Sequence, residues 1–521
     1  LSSADAEVTA RSRTFARAQF GLDAPRVIVE THLLGGLPGT TIVGLPEVAV
    51  REARDRVRSA LTNCGFDYPD GRVVINLAPV DLAKQGARFD LAIAVSILRA
   101  SGQLGPEPER SFDFEFLGEL SLGGELRRVR GSLCAALAVA GERGRSGRLV
   151  VPLANGVEAS RAGSVVLALN HLKDVVRLLG GEDPAQLGPP LPAPADRSAP
   201  PEPQVLGQAG AKRALAIAAT GGHHLLMVGP PGTGKSLLAR RLPGLLPPLE
   251  DRQAMEVAAV YSAAGLDFET IGPRPIRAPH HTVSATAMTG GGTHPRPGEI
   301  SLAHHGVLFL DELPHFKPSV LDALREPLET RRISIARAAG TASFPASFQL
   351  LAAMNPCPAG LVCGDGRCRC RPDQVRRYQS RVSGPLLDRI DLHVPVGEVP
   401  KALLLGEVDE ADDAHLDPAA VRAAAARQLA RQGMPNAELD SRDLARHAAL
   451  EPAGSRLLGR AADRYRLSAR GFHRVLRVAR SIADLEAEEQ IGVRHLAEAL
   501  SYRAMDWSTP AGSTGGAGAV Y

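Results

Sequence analysis

Apolar positions along this chain follow different patterns in different stretches, and the changes of pattern mark out its parts. Before about residue 180, short strand-like runs (Val27–Glu30, Thr41–Val43, Val73–Asn76, Leu149–Val151) alternate with helical periodicity at Pro46–Asn63, Phe89–Ala100 and Ser132–Arg143. That alternation predicts an α+β or α/β unit. Further on come continuous apolar runs, Leu225–Val228, Val307–Leu310 and Phe348–Ala353, which read as buried strands, with a helix starting over Ser236–Leu242. The last third is different again. Ala419–Gln432, Ser455–Arg466, Gly471–Leu485 and Val493–Met505 are rich in Ala, Leu and Arg and read as helices.

Punctuation between these parts is clear. Pro184–Pro203 holds eight prolines in twenty residues, a density that favours an extended, semi-rigid linker. The acidic segment Glu407–Pro418 marks a second boundary, and Ser508–Tyr521 is rich in Gly, Ser, Thr and Ala, as expected of a disordered tail. The expected division is therefore 1–183, a linker 184–203, a nucleotide-binding core 204–406, a helical unit 407–507 and a tail 508–521. No internal repeat is visible.

Composition narrows the class only slightly. With 521 residues, 44% apolar and 22% charged, the chain is too long for one core and ordinary for a globular protein. A net charge of +3 neither demands nor excludes nucleic acid, so any basic surface must be local. No apolar run approaches the ~18 residues needed to cross a membrane. The arginine-bearing N-terminus has no hydrophobic stretch and is no secretory signal, although the chain opens on Leu1 and residues before it are expected. Six cysteines in so long a chain point to a reducing cytoplasm, not to a disulfide scaffold.

The chemistry is concentrated after the linker. Gly229, Pro230, Pro231, Gly232, Thr233, Gly234, Lys235 and Ser236 fit the G-x-x-x-x-G-K-[ST] phosphate loop. Successive backbone N–H groups of such a loop wrap a phosphate chain, and glycine leaves the room and the positive φ this requires. Lys235 would reach the β and γ phosphates of ATP, and Ser236 would hold Mg²⁺. Some seventy-five residues later Val307–Leu310 runs into Asp311 and Glu312. Asp311 is placed to hold the Mg²⁺ shell, and Glu312 to orient and deprotonate a water. Asn355, after the run Phe348–Ala353, could place its amide near the γ-phosphate. Cys357, Cys363, Cys368 and Cys370 form C-x₅-C-x₄-C-x-C, a density of thiols able to hold Zn²⁺ and tie down a loop without its own core.

The stretches Pro297-Gly-Glu-Ile-Ser-Leu-Ala-His-His-Gly-Val-Leu-Phe-Leu-Asp-Glu-Leu-Pro314 and Ser383-Gly-Pro-Leu-Leu-Asp-Arg-Ile-Asp-Leu-His393 resemble magnesium-chelatase-type AAA+ ATPases. Gly36-Leu-Pro-Gly-Thr-Thr-Ile-Val-Gly-Leu-Pro46 and Ile75-Asn-Leu-Ala-Pro79 narrow the resemblance to the ComM/YifB branch, over nearly the whole chain. It implies an α/β fold: a P-loop AAA+ core with a helical lid, preceded by a Lon-protease-like α+β domain. It further implies that Asn355 is a first sensor, Arg389 an arginine finger reaching a neighbouring subunit, and Arg470 a second sensor on the lid. A finger in trans requires an oligomer, and rings of six are usual for the family. A hairpin insertion facing the pore is implied within Arg274–Arg296, where Arg274, Arg277, His280, His281, His294 and Arg296 lie. The pairs His280-His281 and His304-His305 are expected to pack or hydrogen-bond, because adjacent residues rarely share one ion. Where relatives usually show Cys-Pro-Cys-Gly, this chain has Cys357-Pro-Ala359-Gly360, and Cys363 is the candidate replacement ligand.

A Lon-like fold raises the possibility of a Ser–Lys hydrolase, and the residues speak against it. Lys84-Gln-Gly-Ala-Arg-Phe-Asp90 has no serine where a nucleophile would sit, and Ser132 and Cys134 have no evident activating partner. The reading is an ATP-driven DNA motor: a helicase acting in branch migration during recombination and natural transformation, on single-stranded or branched DNA. The competing readings are an ATPase subunit for inserting a metal into a porphyrin and a non-enzymatic nucleotide switch.

Overall fold

The computed structural model describes residues 8–44, 47–104, 114–142, 147–163, 166–183, 205–267, 274–292, 295–337, 340–361, 368–399, 403 and 416–503. The proline-rich linker, most of the acidic boundary, the C-terminal tail, His294 and Cys363 lie outside them.

The N-terminal part is built on strands β1 (Val8–Arg17), β2 (Arg26–Leu34), β3 (Gly39–Val43), β4 (Arg72–Ala78), β5 (Phe114–Phe116), β8 (Arg148–Pro152) and β9 (Val166–Leu169). A small separate hairpin, β6 (Glu119–Leu120) with β7 (Leu126–Arg127), intervenes. The seven-stranded sheet runs β3-β4-β2-β1-β5-β8-β9. β2 pairs antiparallel with both β1 and β4, whereas the remaining pairs are parallel. Helix Asp90–Ala100 is apolar on nearly every side, so it sits fully inside, against β1 and β2. β1 was not anticipated, since Arg11, Arg13 and Arg17 break its apolar pattern. Arg17 is nonetheless buried and paired with Glu115 on the adjoining strand β5.

The second sheet takes β10 (Leu225–Val228), β11 (Ile276–Arg277), β14 (Val307–Leu310), β17 (Gln349–Met354) and β18 (Leu392–Pro395), ordered β11-β14-β17-β10-β18 and all parallel. Its inner strands are covered on both faces, which is why they appear in the sequence as unbroken apolar runs. Two antiparallel hairpins lie outside this sheet: β12 (Gly290–Gly291) with β13 (Arg296–Pro297), and β15 (Arg332–Arg337) with β16 (Gly340–Pro345). The first lies inside the predicted insertion, which is not merely a loop, since it also carries β11 and the helix Ala285–Thr289. The second was not anticipated. At the base of the first, a side chain on Gly290 would meet the Arg296 carbonyl at 2.2 Å, so glycine alone lets the strands close.

Helices Pro418–Gln432, Pro452–Tyr465, Ala469–Leu485 and Val493–Ser501 share one core with helix Ala209–Gly221 and the face of the second sheet, through Val421, Val475, Ile482 and Leu496. Ser468 caps Ala469–Leu485 by accepting from the Gly471 N–H at 3.0 Å. Inside the bundle, Arg480 and Arg431 both bind Asp484, at 3.0 and 2.6 Å, and Asn436 donates to the same carboxylate. A buried carboxylate so fully bonded costs little desolvation that is not offset.

The two sheets are joined by direct packing. Helix Ser132–Gly141 lies on helix Asp251–Ala264, with Leu133, Val257, Val260 and Tyr261 in one buried cluster. Ser262 tightens the seam by accepting from the Leu133 N–H at 3.2 Å and, through its carbonyl, from the Gly131 N–H at 2.9 Å.

Candidate nucleotide-hydrolysis site

The phosphate loop leaves the C-terminal end of β10 and turns into helix Lys235–Leu245. Its glycines have separate reasons. A Cβ on Gly229 would fall 2.0 Å from the Val396 carbonyl, whereas Gly232 and Gly234 adopt φ of 77° and 88°, where other residues are strained. Lys235 is buried to 7% exposure and its ammonium lies 2.7 Å from the Gly229 carbonyl, 2.6 Å from that of Pro230 and 3.3 Å from Asn355 Oδ1. Burial lowers its pKa from the ordinary lysine value, with the Asp311 carboxylate countering part of that.

The next strands supply the acids. Asp311 follows β14, and its Oδ2 accepts from Ser236 Oγ at 2.6 Å. A hydroxyl and a carboxylate in contact beside a phosphate loop fit the outer ligands of Mg²⁺. Glu312 takes φ of 53°, a left-handed conformation a non-glycine residue rarely adopts. Its carboxylate is half-exposed, 3.5 Å from His281 and 3.4 Å from His315. Asn355 follows β17, the neighbour of β10, and its contact with Lys235 joins it to the loop. The structure thus brings Lys235, Ser236, Asp311 and Asn355 together, with Glu312 beside them, at one edge of one sheet. This edge is where ligands bind in open parallel sheets.

Arg389 and Arg470 stand elsewhere. Arg389 precedes β18, whose Leu392 pairs with Leu225 at the start of β10, so it sits at the opposite edge from the loop. A four-residue strand spans about 13 Å, well beyond hydrogen-bond reach. Arg389 Nη2 binds Glu329 at 2.6 Å and its Nη1 binds the Pro385 carbonyl at 2.7 Å, while its buried Nε is left without a partner. Arg470, two-thirds exposed, approaches the same Glu329 at 3.7 Å. Both arginines border polar hollows at this edge, one of about 530 Å³ lined also by His224, Arg331, Asp391 and Arg474. Sequence reasoning missed Arg474, whose only signal is its position one helical turn after Arg470. It binds Asp391 at 3.2 Å. Burial works against ionisation of Asp391, but His223 and Arg474 hold its carboxyl far below the usual range.

The thiol cluster lies just beyond Asn355. Cys357 Sγ is 3.5 Å from Cys368 Sγ and 3.8 Å from Cys370 Sγ. Tetrahedral zinc with bonds of about 2.3 Å sets its sulfurs about 3.8 Å apart, so the three fit a zinc site. The histidine pairs behave as hydrogen-bonding groups. His304 and His305 both reach Glu256, at 3.3 and 2.9 Å, but His304 Nδ1 accepts from the Ser347 N–H, which leaves the proton on Nε2 and no lone pair there for a metal.

Comparison with known proteins agrees with this anatomy. The chain is 46% identical over 499 residues to competence protein ComM of Haemophilus influenzae, covering 94% of this chain and 97% of that one. It is 44% identical over 500 residues to YifB of Salmonella typhimurium, covering 94% and 96%. The chain belongs to the ComM/YifB family of magnesium-chelatase-like AAA+ ATPases. Family profiles for the magnesium chelatase subunit ChlI match at residues 29–155 and 203–404, and the ChlI C-terminal profile matches at 418–503. A more distant relative is the probable DNA helicase MCM9 of Arabidopsis thaliana, 26% identical over 204 residues, 36% of this chain and 27% of that one. No described helix is long and apolar enough to cross a membrane.

Proposed function

We propose that this protein hydrolyses ATP with Mg²⁺ in a cytoplasmic ring of six subunits and uses the energy to move along DNA. The observation that carries the reading is the division of the polar groups between the two edges of one sheet. Lys235, Ser236, Asp311, Glu312 and Asn355 make one half of a site, and Arg389 and Arg470 belong to the half offered to a neighbour. The backbone amides of Gly229–Gly234 and Lys235 would bind the β and γ phosphates, Ser236 and Asp311 would hold the Mg²⁺ shell, and Glu312 would take the proton of the attacking water. Mg²⁺ would neutralise charge on the phosphates. Arg389, supplied in trans, would stabilise the charge that develops on the transferred phosphoryl group.

The DNA reading rests on the two hairpins, on the relative named for competence and on the relative named as a helicase. Branch migration on DNA taken up in transformation is the specific task proposed. The N-terminal part is read as a Lon-like scaffold without hydrolase activity: Lys84 is fully buried and donates to the Pro79 carbonyl, and among the described residues no hydroxyl or thiol is bonded to it. Cys357, Cys368 and Cys370, with Cys363 as the fourth ligand, are proposed to hold one structural zinc. Elemental analysis should find one zinc per chain, lost in Cys357→Ser; a metal-free wild type ends that assignment.

The deciding experiment is steady-state ATP hydrolysis without DNA and with single strands, duplex or a branched junction, using Lys235→Ala as blank. Salt-sensitive stimulation by single strands or junctions is expected. Hydrolysis indifferent to every DNA would overturn the motor reading and favour the alternative that the ChlI profiles raise, a subunit of a metal-insertion complex.

A further inference from the structure

Between the N-terminal sheet and the first hairpin of the ATPase unit lies a polar cavity of about 550 Å³ that the hydrolysis site does not use. Four arginines line it, Arg88, Arg128 and Arg130 from the N-terminal part and Arg296 from β13, facing the carboxylates of Glu47 and Glu119. Arg128 is partly satisfied by Glu158 at 3.2 Å, and Glu119 lies 3.9 Å from Arg127 outside the cavity lining. Arg88 is 7% exposed; its Nη2 donates to Gln19 Oε1 at 2.8 Å and to the Arg130 carbonyl, and its buried Nη1 has no partner. Burial pulls its pKa down to about 10, so it remains charged at neutral pH. Arg130 and Arg296 are exposed and close enough to repel, and among the described residues neither forms an ion pair with a carboxylate. Gly265, at the end of helix Asp251–Ala264, makes room for this arrangement, because a Cβ there would press on Arg130 at 2.9 Å.

A buried guanidinium with an unmet donor, facing two further unneutralised guanidiniums, is costly unless an anion completes it. We infer that this cavity binds a phosphate group, held by Arg88, Arg130 and Arg296. The occupant would bridge the N-terminal part and the hairpin, so that the hairpin's position and phosphate binding are linked. A nucleic-acid backbone and a small phosphorylated molecule both carry this chemistry; only the first source rests on the DNA-motor reading.

The test uses the full chain saturated with ADP, so that the phosphate loop is filled. Inorganic pyrophosphate and a fluorescent oligo-dT are titrated at several salt concentrations into wild type, Arg88→Met, Arg130→Gln, Arg296→Gln and the distant exposed control Arg456→Gln. Loss of about tenfold in affinity for either probe, with a shallower salt dependence by about one ion, is expected for the cavity variants alone. Pyrophosphate that displaces the oligonucleotide identifies a backbone phosphate as the occupant. Arginine-dependent pyrophosphate binding without displacement identifies a small molecule, and this outcome stands even if DNA fails to stimulate hydrolysis. If Arg88→Met does not fold, the two exposed positions carry the test. Unchanged affinities for both probes in Arg130→Gln and Arg296→Gln would overturn the proposal.

Discussion

Both edges of the five-stranded parallel sheet carry charged groups, and the two are differently finished. At the C-terminal edge, the groups answer one another within the chain: Lys235 with Asn355, Ser236 with Asp311. At the N-terminal edge, Arg389 and Arg470 share one half-exposed carboxylate, that of Glu329, as their ion-pair partner among the described residues. The Arg470 pair is exposed on both sides and contributes little, roughly 0.2–1 kcal/mol, while Arg389 keeps a buried Nε without a partner. The first edge is a finished receptor; the second is a set of charges held ready. On the function proposed above, a single chain carries both halves of a hydrolytic centre and cannot bring them together by itself.

The strongest way to break this comparison is a mixing experiment. Lys235→Ala and Arg389→Ala should each lower hydrolysis by about 10³-fold, Arg389→Ala without loss of ATP binding. Mixed in equal amounts they should regain about a quarter of wild-type turnover, since one interface in four joins an intact loop to an intact finger. A mixture as inactive as its parts would show that the halves are not shared between subunits. Next in size, Glu312→Gln should reduce hydrolysis by about 10²–10³-fold while nucleotide affinity, read by a fluorescent analogue, is kept. Equal loss of binding would make Glu312 part of the receptor instead of its base. Glu329→Gln should act in the other direction. Freed arginines should raise turnover at low protein concentration by roughly two- to threefold, an effect that fades as assembly saturates; a fall would mean that Glu329 positions the finger.

The smallest effect concerns stability. Burial lowers the His304 ring to about 4, against an unfolded value near 6.5. Between those values the unfolded chain binds a proton that the folded chain refuses. Stability from this residue is therefore complete above pH 6.5 and declines as pH falls toward 4, by at most about 1.4 kcal/mol per unit. Thermal midpoints across this range should fall less steeply in His304→Gln, and an unchanged slope would assign the acid sensitivity to other groups.

Legibility in the sequence followed how local each interaction is. The loop Gly229–Ser236 could be read because successive backbone amides form the receptor, so spacing along the chain is spacing in space. Asp311 and Glu312 could be read because a buried strand ends in acids. β1 was missed because three arginines interrupt it and the carboxylate that admits Arg17 to the interior, Glu115, lies on another strand, and the β15–β16 hairpin because its apolar residues, Ile333, Ile335 and Phe344, are too few to stand out. Arg474 was missed because nothing beside it in sequence distinguishes it from the many other arginines.

The amino-acid order alone was enough to locate a phosphate-loop motif, to show which family the chain resembles, and to mark where thiols, acids and glycines gather. Only the tertiary structure decided that Arg389 and Arg470 share Glu329 at the far edge of the sheet, and that Arg88, Arg130 and Arg296 surround one cavity across a seam between two units. Charges separated by hundreds of residues interact only after the sheets have packed, and no periodicity along the chain records that distance.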